Sequence, residues 1–132
     1  MARCRIFMAG FGLLLVASLL GCGGQQVKAP PPTHKTEGVV MQKNGKPVAG
    51  GSVEFRHAAK PEFVSLGEVG PDGRFTLRTM GGSQDTSGAQ EGEHDVTYTP
   101  PLNAKGETDP MTLSKKYMIK SGDNNITVTL EK

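Results

Sequence analysis

Apolar and polar residues alternate with a period of two along most of the chain from Thr36 onward, the spacing of half-buried β-strands. Val53 and Phe55 share one face, with Glu54 and Arg56 on the other. Phe75 and Leu77 alternate with Arg74, Thr76 and Arg78; Val96 and Tyr98 alternate with Asp95 and Thr97. Ile126, Val128 and Leu130 alternate with Thr127, Thr129 and Glu131. Gly38–Met41 predicts a first strand and Val64–Val69 a third. In the third, Val64 and Leu66 share parity and Val69 does not, which predicts a bulge near Gly67. Lys116–Lys120 predicts a short sixth strand ahead of the turn Ser121–Asn124. No stretch carries a helical stripe. One apolar face per strand is what two packed antiparallel sheets require. The pattern therefore predicts an all-β chain, a β-sandwich of seven antiparallel strands.

The turns carry their own chemistry. Asn44-Gly45 tolerates the positive φ of a tight hairpin turn between the first and second strands. In Pro71-Asp72-Gly73, proline presets φ and glycine accepts the left-handed position, which predicts a hairpin into Arg74–Thr79. The eighteen glycines suit a chain of short strands and tight turns.

These segments resemble the carboxypeptidase regulatory-like domain, a prealbumin-like (transthyretin-like) seven-stranded sandwich. The opening strand Gly38-Val39-Val40 and the run Asn44-Gly45-Lys46-Pro47-Val48-Ala49-Gly50-Gly51-Ser52-Val53 look like that family's first turn and second strand. Gly70-Pro71-Asp72-Gly73-Arg74-Phe75-Thr76-Leu77 looks like its "D-G-x-F-x-L" hairpin. Gly92–Tyr98 is similar to its "G-x-Y-x-V" strand, with His94 where an aromatic is usual. Gly122–Val128 is similar to its closing "G-x-N" strand, while the segment before Tyr117 departs from the family's pattern. The resemblance covers residues 36–132. It implies a fold, and a non-catalytic module, but no reaction.

Ahead of the domain, Arg3 and Arg5 precede an apolar run from Ile6 to Leu20. That run is about 15 residues, short of the roughly 20 needed to span a bilayer, and it fits a secretory signal. Leu19-Leu20-Gly21-Cys22 resembles the lipobox of bacterial lipoprotein signal peptides, which implies cleavage before Cys22, a diacylglycerol on its thiol and an acylated amine (palmitate in type). The expected organisation is a signal peptide at 1–21, lipidated Cys22 with a Pro-rich linker at 22–35, and the β-sandwich at 36–132. Ala29-Pro30-Pro31-Pro32 favours extended polyproline II, so the domain is expected close to the membrane of a bacterial cell envelope, outside the cytoplasm.

Charge and cysteine content narrow the function. Arg3 and Arg5 are two of the fifteen basic residues, so the mature chain balances thirteen against thirteen acidic ones. A neutral domain has no electrostatic footprint for nucleic acid. Both cysteines, Cys4 and Cys22, lie ahead of the domain, which removes an intramolecular disulfide and a cysteine-based zinc site. His34, His57 and His94 show no ligand-like spacing and read as solvent-exposed. No serine sits in a nucleophile elbow, and no helix follows the glycine-rich stretch Met80–Gly92 to bind phosphate. An intramolecular Lys43–Asn125 isopeptide would need the two residues on facing strands. The expected function is a monomeric, non-catalytic envelope lipoprotein, with neither catalytic residues, metal nor cofactor. Its expected partners are membrane lipid through Cys22 and an envelope protein. The alternatives are a carbohydrate-binding module, weakened by the lack of Trp, or an accessory domain of an envelope enzyme system.

Two loops, Met80–Gly92 and Thr99–Lys115, exceed what a compact sandwich needs. Leu102, Met111 and Leu113 in the second could pack back or meet a partner. If seven strands alternate in direction, the linker enters at the end holding Ala58–Phe63, Met80–Gly92 and Ser121–Asn124. The other end then holds Lys43–Pro47, Pro71–Gly73 and Thr99–Lys115.

Overall fold

A computed structural model describes residues 31–81 and 85–131. The signal sequence 1–21, Cys22 and the linker up to residue 30 lie outside the described residues, as do residues 82–84 of the Met80–Gly92 loop. The described chain is all-β, with no helix. Twelve strands run β1 Thr33–His34, β2 Thr36–Met41, β3 Ser52–His57, β4 Val64–Glu68, β5 Arg74–Thr76 and β6 Arg78–Met80. There follow β7 Thr86–Ser87, β8 Ala89–Gln90, β9 Gly92–Thr99, β10 Met111–Thr112, β11 Tyr117–Ile119 and β12 Asn124–Thr129.

The larger sheet is antiparallel throughout, in the order β10-β9-β3-β4-β6-β7, and β11 shares the outer edge of β9 with β10. The smaller sheet is β12-β2-β5. β1 and β8 make a separate ribbon. The inner faces of the two main sheets meet in one apolar cluster. Val40, Phe75, Val128 and Leu130 come from or beside the smaller sheet, and Val53, Phe55, Val96, Tyr98 and Ile119 from the larger. The Phe55 ring lies 5.9 Å from Phe75 and 6.1 Å from Tyr117, at tilted angles. This is a sandwich-like arrangement.

One pairing departs from the expected antiparallel order. β12 runs parallel to β2 in unbroken register, from Asn124↔Thr36 to Thr129↔Met41. The two strands start side by side at the same end, where Asn124 N–H donates to the Lys35 carbonyl at 2.9 Å, so the chain enters both in the same direction and they pair parallel.

The expected first hairpin is also different. Gly45 takes φ 83°, and Val48 N–H donates to the Val40 carbonyl at 2.9 Å, so the chain does turn at Asn44-Gly45. The returning arm ends there. The chain then crosses through Gly50 and Gly51 to β3, which lies in the other sheet. The second turn forms as expected: Gly73 N–H donates to the Gly70 carbonyl at 3.0 Å, with Gly73 at φ 81°. Beyond it the predicted single strand divides. β5 pairs with β2, and β6 pairs with β4. Leu77 sits at the crossing, fully buried, its N–H on the Thr36 carbonyl and its own carbonyl accepting from Gly88 N–H. Alternation survives the crossing, because Phe75, Leu77 and Thr79 all face inward.

β4 has no bulge; its register with β3 runs unbroken from Ser52↔Glu68 to Arg56↔Val64. Ser65, Gly67 and Val69 face inward, and Leu66 faces out, 39% exposed. A buried serine is tolerated because its hydroxyl meets the Thr79 hydroxyl at 2.8 Å, and Thr79 in turn donates to the Gly88 carbonyl at 2.8 Å.

Candidate functional site

The strand registers sort the loops into two ends. The near end, where β1 joins β2, holds residues 58–63, 85–91 and 120–123. The far end holds 42–46, 70–73 and 100–110. Each has its own chemistry, and a groove lies on the outer face between them.

The near end gathers all three histidines of the chain. His57 closes β3 and pairs in register with His94 on β9. Their rings meet edge to face with centroids 5.0 Å apart. His57 Nδ1 accepts N–H bonds from Ala59 at 3.0 Å and Lys60 at 3.2 Å, and its Nε2 donates to the Glu91 carbonyl at 3.0 Å. With Nδ1 occupied as an acceptor, the proton of the neutral ring is on Nε2. His94 is buried and donates from Nδ1 to the Gly92 carbonyl at 3.0 Å. Burial pushes its pKa below the ordinary histidine value; the Gly92 carbonyl works against that shift, and His57 reinforces it. His34 Nδ1 accepts from Gly122 N–H at 3.2 Å, and its Nε2 lies 3.9 Å from the Glu91 carboxylate. Gly92 is required here: at φ 126°, a Cβ would sit 2.5 Å from His57 Nε2.

The expectation of exposed histidines therefore fails for His94. The signal was in the sequence, since His94 shares parity with Val96 and Tyr98. Gathering the three rings does not make a metal site. Among the described residues, no three His, Cys, Asp or Glu side chains are placed to hold a metal ion.

On the outer face an open groove of about 1040 Å³ runs over β2, β4, β5 and β6. It follows from the crossing at Leu77. The β4–β6 pairing stops at Leu66↔Arg78, and the chain next meets itself where Gly70 N–H donates to the Arg74 carbonyl. Leu66 and Met80 (44% exposed) give the groove an apolar floor, rimmed by Glu37, Glu68, Arg74 and Arg78. Asn125 lines the same groove. It registers with Glu37 near the start of β2, whereas Lys43 lies in the turn past the other end of that strand, at least four positions and about 13 Å away along it. Lys43 and Asn125 are therefore not brought together, and no isopeptide bond can form between them.

The far end carries the segment 101–110, exposed throughout. It holds its own shape. Asn103 Oδ1 accepts from Lys105 and Glu107 N–H, and the Thr108 hydroxyl donates to the Pro100 carbonyl at 3.0 Å. Leu102 is 68% exposed. Leu113 is buried in the core, with Met111 packed against it. β7, β8 and β10 also lie inside the two segments read as loops.

Aromatic and charged groups elsewhere serve the fold. Tyr98 and Tyr117, with Phe55, Phe63 and Phe75, are buried, which leaves no aromatic face among the described residues for a sugar to stack on. Tyr98 donates its hydroxyl to the Gly50 carbonyl at 2.9 Å, and burial raises its pKa. Lys116 lies 3.3 Å from Glu93 and 3.6 Å from Asp95, and the hydrogen bond to Glu93, then the Asp95 charge, raise its pKa. Glu131 takes the Ser114 hydroxyl at 2.7 Å and its N–H at 2.9 Å, which lowers the carboxyl pKa. Cys22, the sequence-predicted lipidation residue, lies outside the described residues. Comparison with family models, curated proteins and solved structures finds no match to this chain.

Proposed function

We propose that this chain is a membrane-anchored, non-catalytic lipoprotein of a bacterial cell envelope, its β-sandwich a carboxypeptidase regulatory-like module that binds or spaces a partner. The single observation that carries the anchor is the sequence Arg3, Arg5, the apolar run Ile6–Leu20 and Leu19-Leu20-Gly21-Cys22, and the placement of β1 gives the anchored domain its orientation. The chain coming from Leu19-Leu20-Gly21-Cys22 joins the domain at Thr33–His34, on β8, at one end of the sandwich. A lipid on Cys22 then holds that end toward the bilayer and turns the 101–110 segment away from it. The segment between Cys22 and Thr33 reaches about 34 Å at roughly 3.1 Å per residue, and no more than about 40 Å fully extended. That is short enough to restrict the domain to the membrane surface. Several acyl chains, at about 0.8 kcal/mol per buried CH₂, would make the anchor effectively permanent.

Fractionation tests the anchor. Wild-type protein should enter the detergent phase and sediment with membranes, and Cys22→Ser should abolish both or stall the chain as uncleaved precursor. Soluble wild-type protein, or a cleaved Cys22→Ser chain still in the detergent phase, would contradict the anchor. Orientation is tested by single cysteines in Cys22-lipidated protein on vesicles. A probe at Leu102 should stay water-exposed, while one at Lys60 should be closer to the lipid.

A further inference from the structure

We propose that the His57–His94 corner is an acid-sensitive latch: protonation frees the 58–63 turn and the β1–β8 ribbon from the near end of the sandwich, so that the incoming chain is held from Thr36 instead of Thr33.

Every nitrogen of His57 is used, and used in the neutral form. A proton added at Nδ1 would face the N–H groups of Ala59 and Lys60, three donors with no acceptor among them. The ring must then turn, and turning also gives up its bond to the Glu91 carbonyl. Glu91 directly follows β8, and β8 is what holds β1 in place, together with the Thr33 hydroxyl on the Ser87 carbonyl at 2.7 Å. His34 adds to the sensitivity, because its Nδ1 is an acceptor for Gly122 N–H. Histidine is the side chain whose unperturbed charge change falls between pH 5 and 8, the range in which a proton can be offered to such a ring.

The surrounding charges do not cancel the effect. From β9, His94 faces His57 edge to face and would repel it when charged. The carboxylates of Glu93 and Asp95 are already engaged by Lys116, which precedes β11, and Tyr117 of β11 registers with His94 as a neutral phenol. From β1, His34 Nε2 lies 3.9 Å from the Glu91 carboxylate, and its Nδ1 is taken by Gly122 N–H. In the turn itself Lys60 offers its N–H to the ring, a second donor set against an added proton.

Amide exchange of the full chain in detergent, read by NMR at pH 7.5 and 5.0 and corrected for the intrinsic pH dependence, tests the latch. The amides of Ala59, Lys60 and Gln90 should lose protection about tenfold or more in acid relative to those of β2 and β12. His57→Asn keeps a side-chain oxygen for the Ala59 N–H without titrating, and His94→Phe keeps ring packing without charge. Both should show a smaller acid response. Unchanged relative protection in the wild type, or a full acid response in whichever of these variants folds, would overturn the proposal.

Discussion

Gly73 shows how a single backbone position holds two parts of this molecule together. At φ 81° it closes the turn, and a Cβ there would lie 2.9 Å from the Val40 carbonyl oxygen and 3.0 Å from Pro47. Gly73→Val should cost at least about 1 kcal/mol of stability, because a β-branched residue is strained at positive φ and the β2 turn cannot move aside. An unchanged urea midpoint would contradict that placement. Ser65 and Thr79 make a second test, since neither hydroxyl has access to water. Thr79→Val should cost about 1–3 kcal/mol by stranding Ser65 and the Gly88 carbonyl, again read from the urea midpoint. The glycine was legible in the sequence, because Pro71-Asp72-Gly73 has a turn mechanism. The buried serine was not, because a satisfied hydroxyl pair looks polar until its partner, fourteen residues away, is known.

At the scale of elements, the strands with a strict apolar face were legible: β3, the core of β9 and β12 lie where period-two alternation puts them. The misreadings have physical causes. In β4 the larger apolar side chains, Val64 and Leu66, lie on the outer side, so parity read from hydrophobicity alone inverts the strand and calls for a bulge that is not there. The β5–β6 crossing leaves no trace in the pattern, because Leu77 is as apolar in a corner as in a straight strand. β1, β7, β8 and β10 are two residues each, too short to show a period. Paired substitutions separate the two faces. Leu66→Thr should change stability by less than about 0.5 kcal/mol, while Leu77→Ala should cost about 2–5 kcal/mol. Equal effects in thermal or urea unfolding would mean the register of β4 is wrong.

For the molecule as a whole, strand direction was the most robust inference, since alternation alone assigns each loop to an end. The convergence of three histidines on one end needs the register itself, and their spacing in the chain hides it. That cluster gives the fold a pH dependence. The folded pKa of His94 lies below its ordinary value, so as pH falls the unfolded chain takes up the proton first. Its contribution is complete above about pH 6.5, the unfolded value, and is lost as pH falls below it toward the lowered folded pKa. The urea midpoint should therefore drop between pH 7 and pH 5, and His94→Phe should reduce the drop; a flat profile would contradict the assignment. The central claim is that a lipid at Cys22 holds the β1 end of this domain at a membrane. Mass spectrometry of the N-terminal peptide of protein purified from bacterial membranes tests it most directly. The predicted result is a mature chain that begins at Cys22 and carries diacylglycerol and amide-linked acyl mass. An unmodified Cys22, or a peptide that retains Arg3 and Arg5, would contradict it.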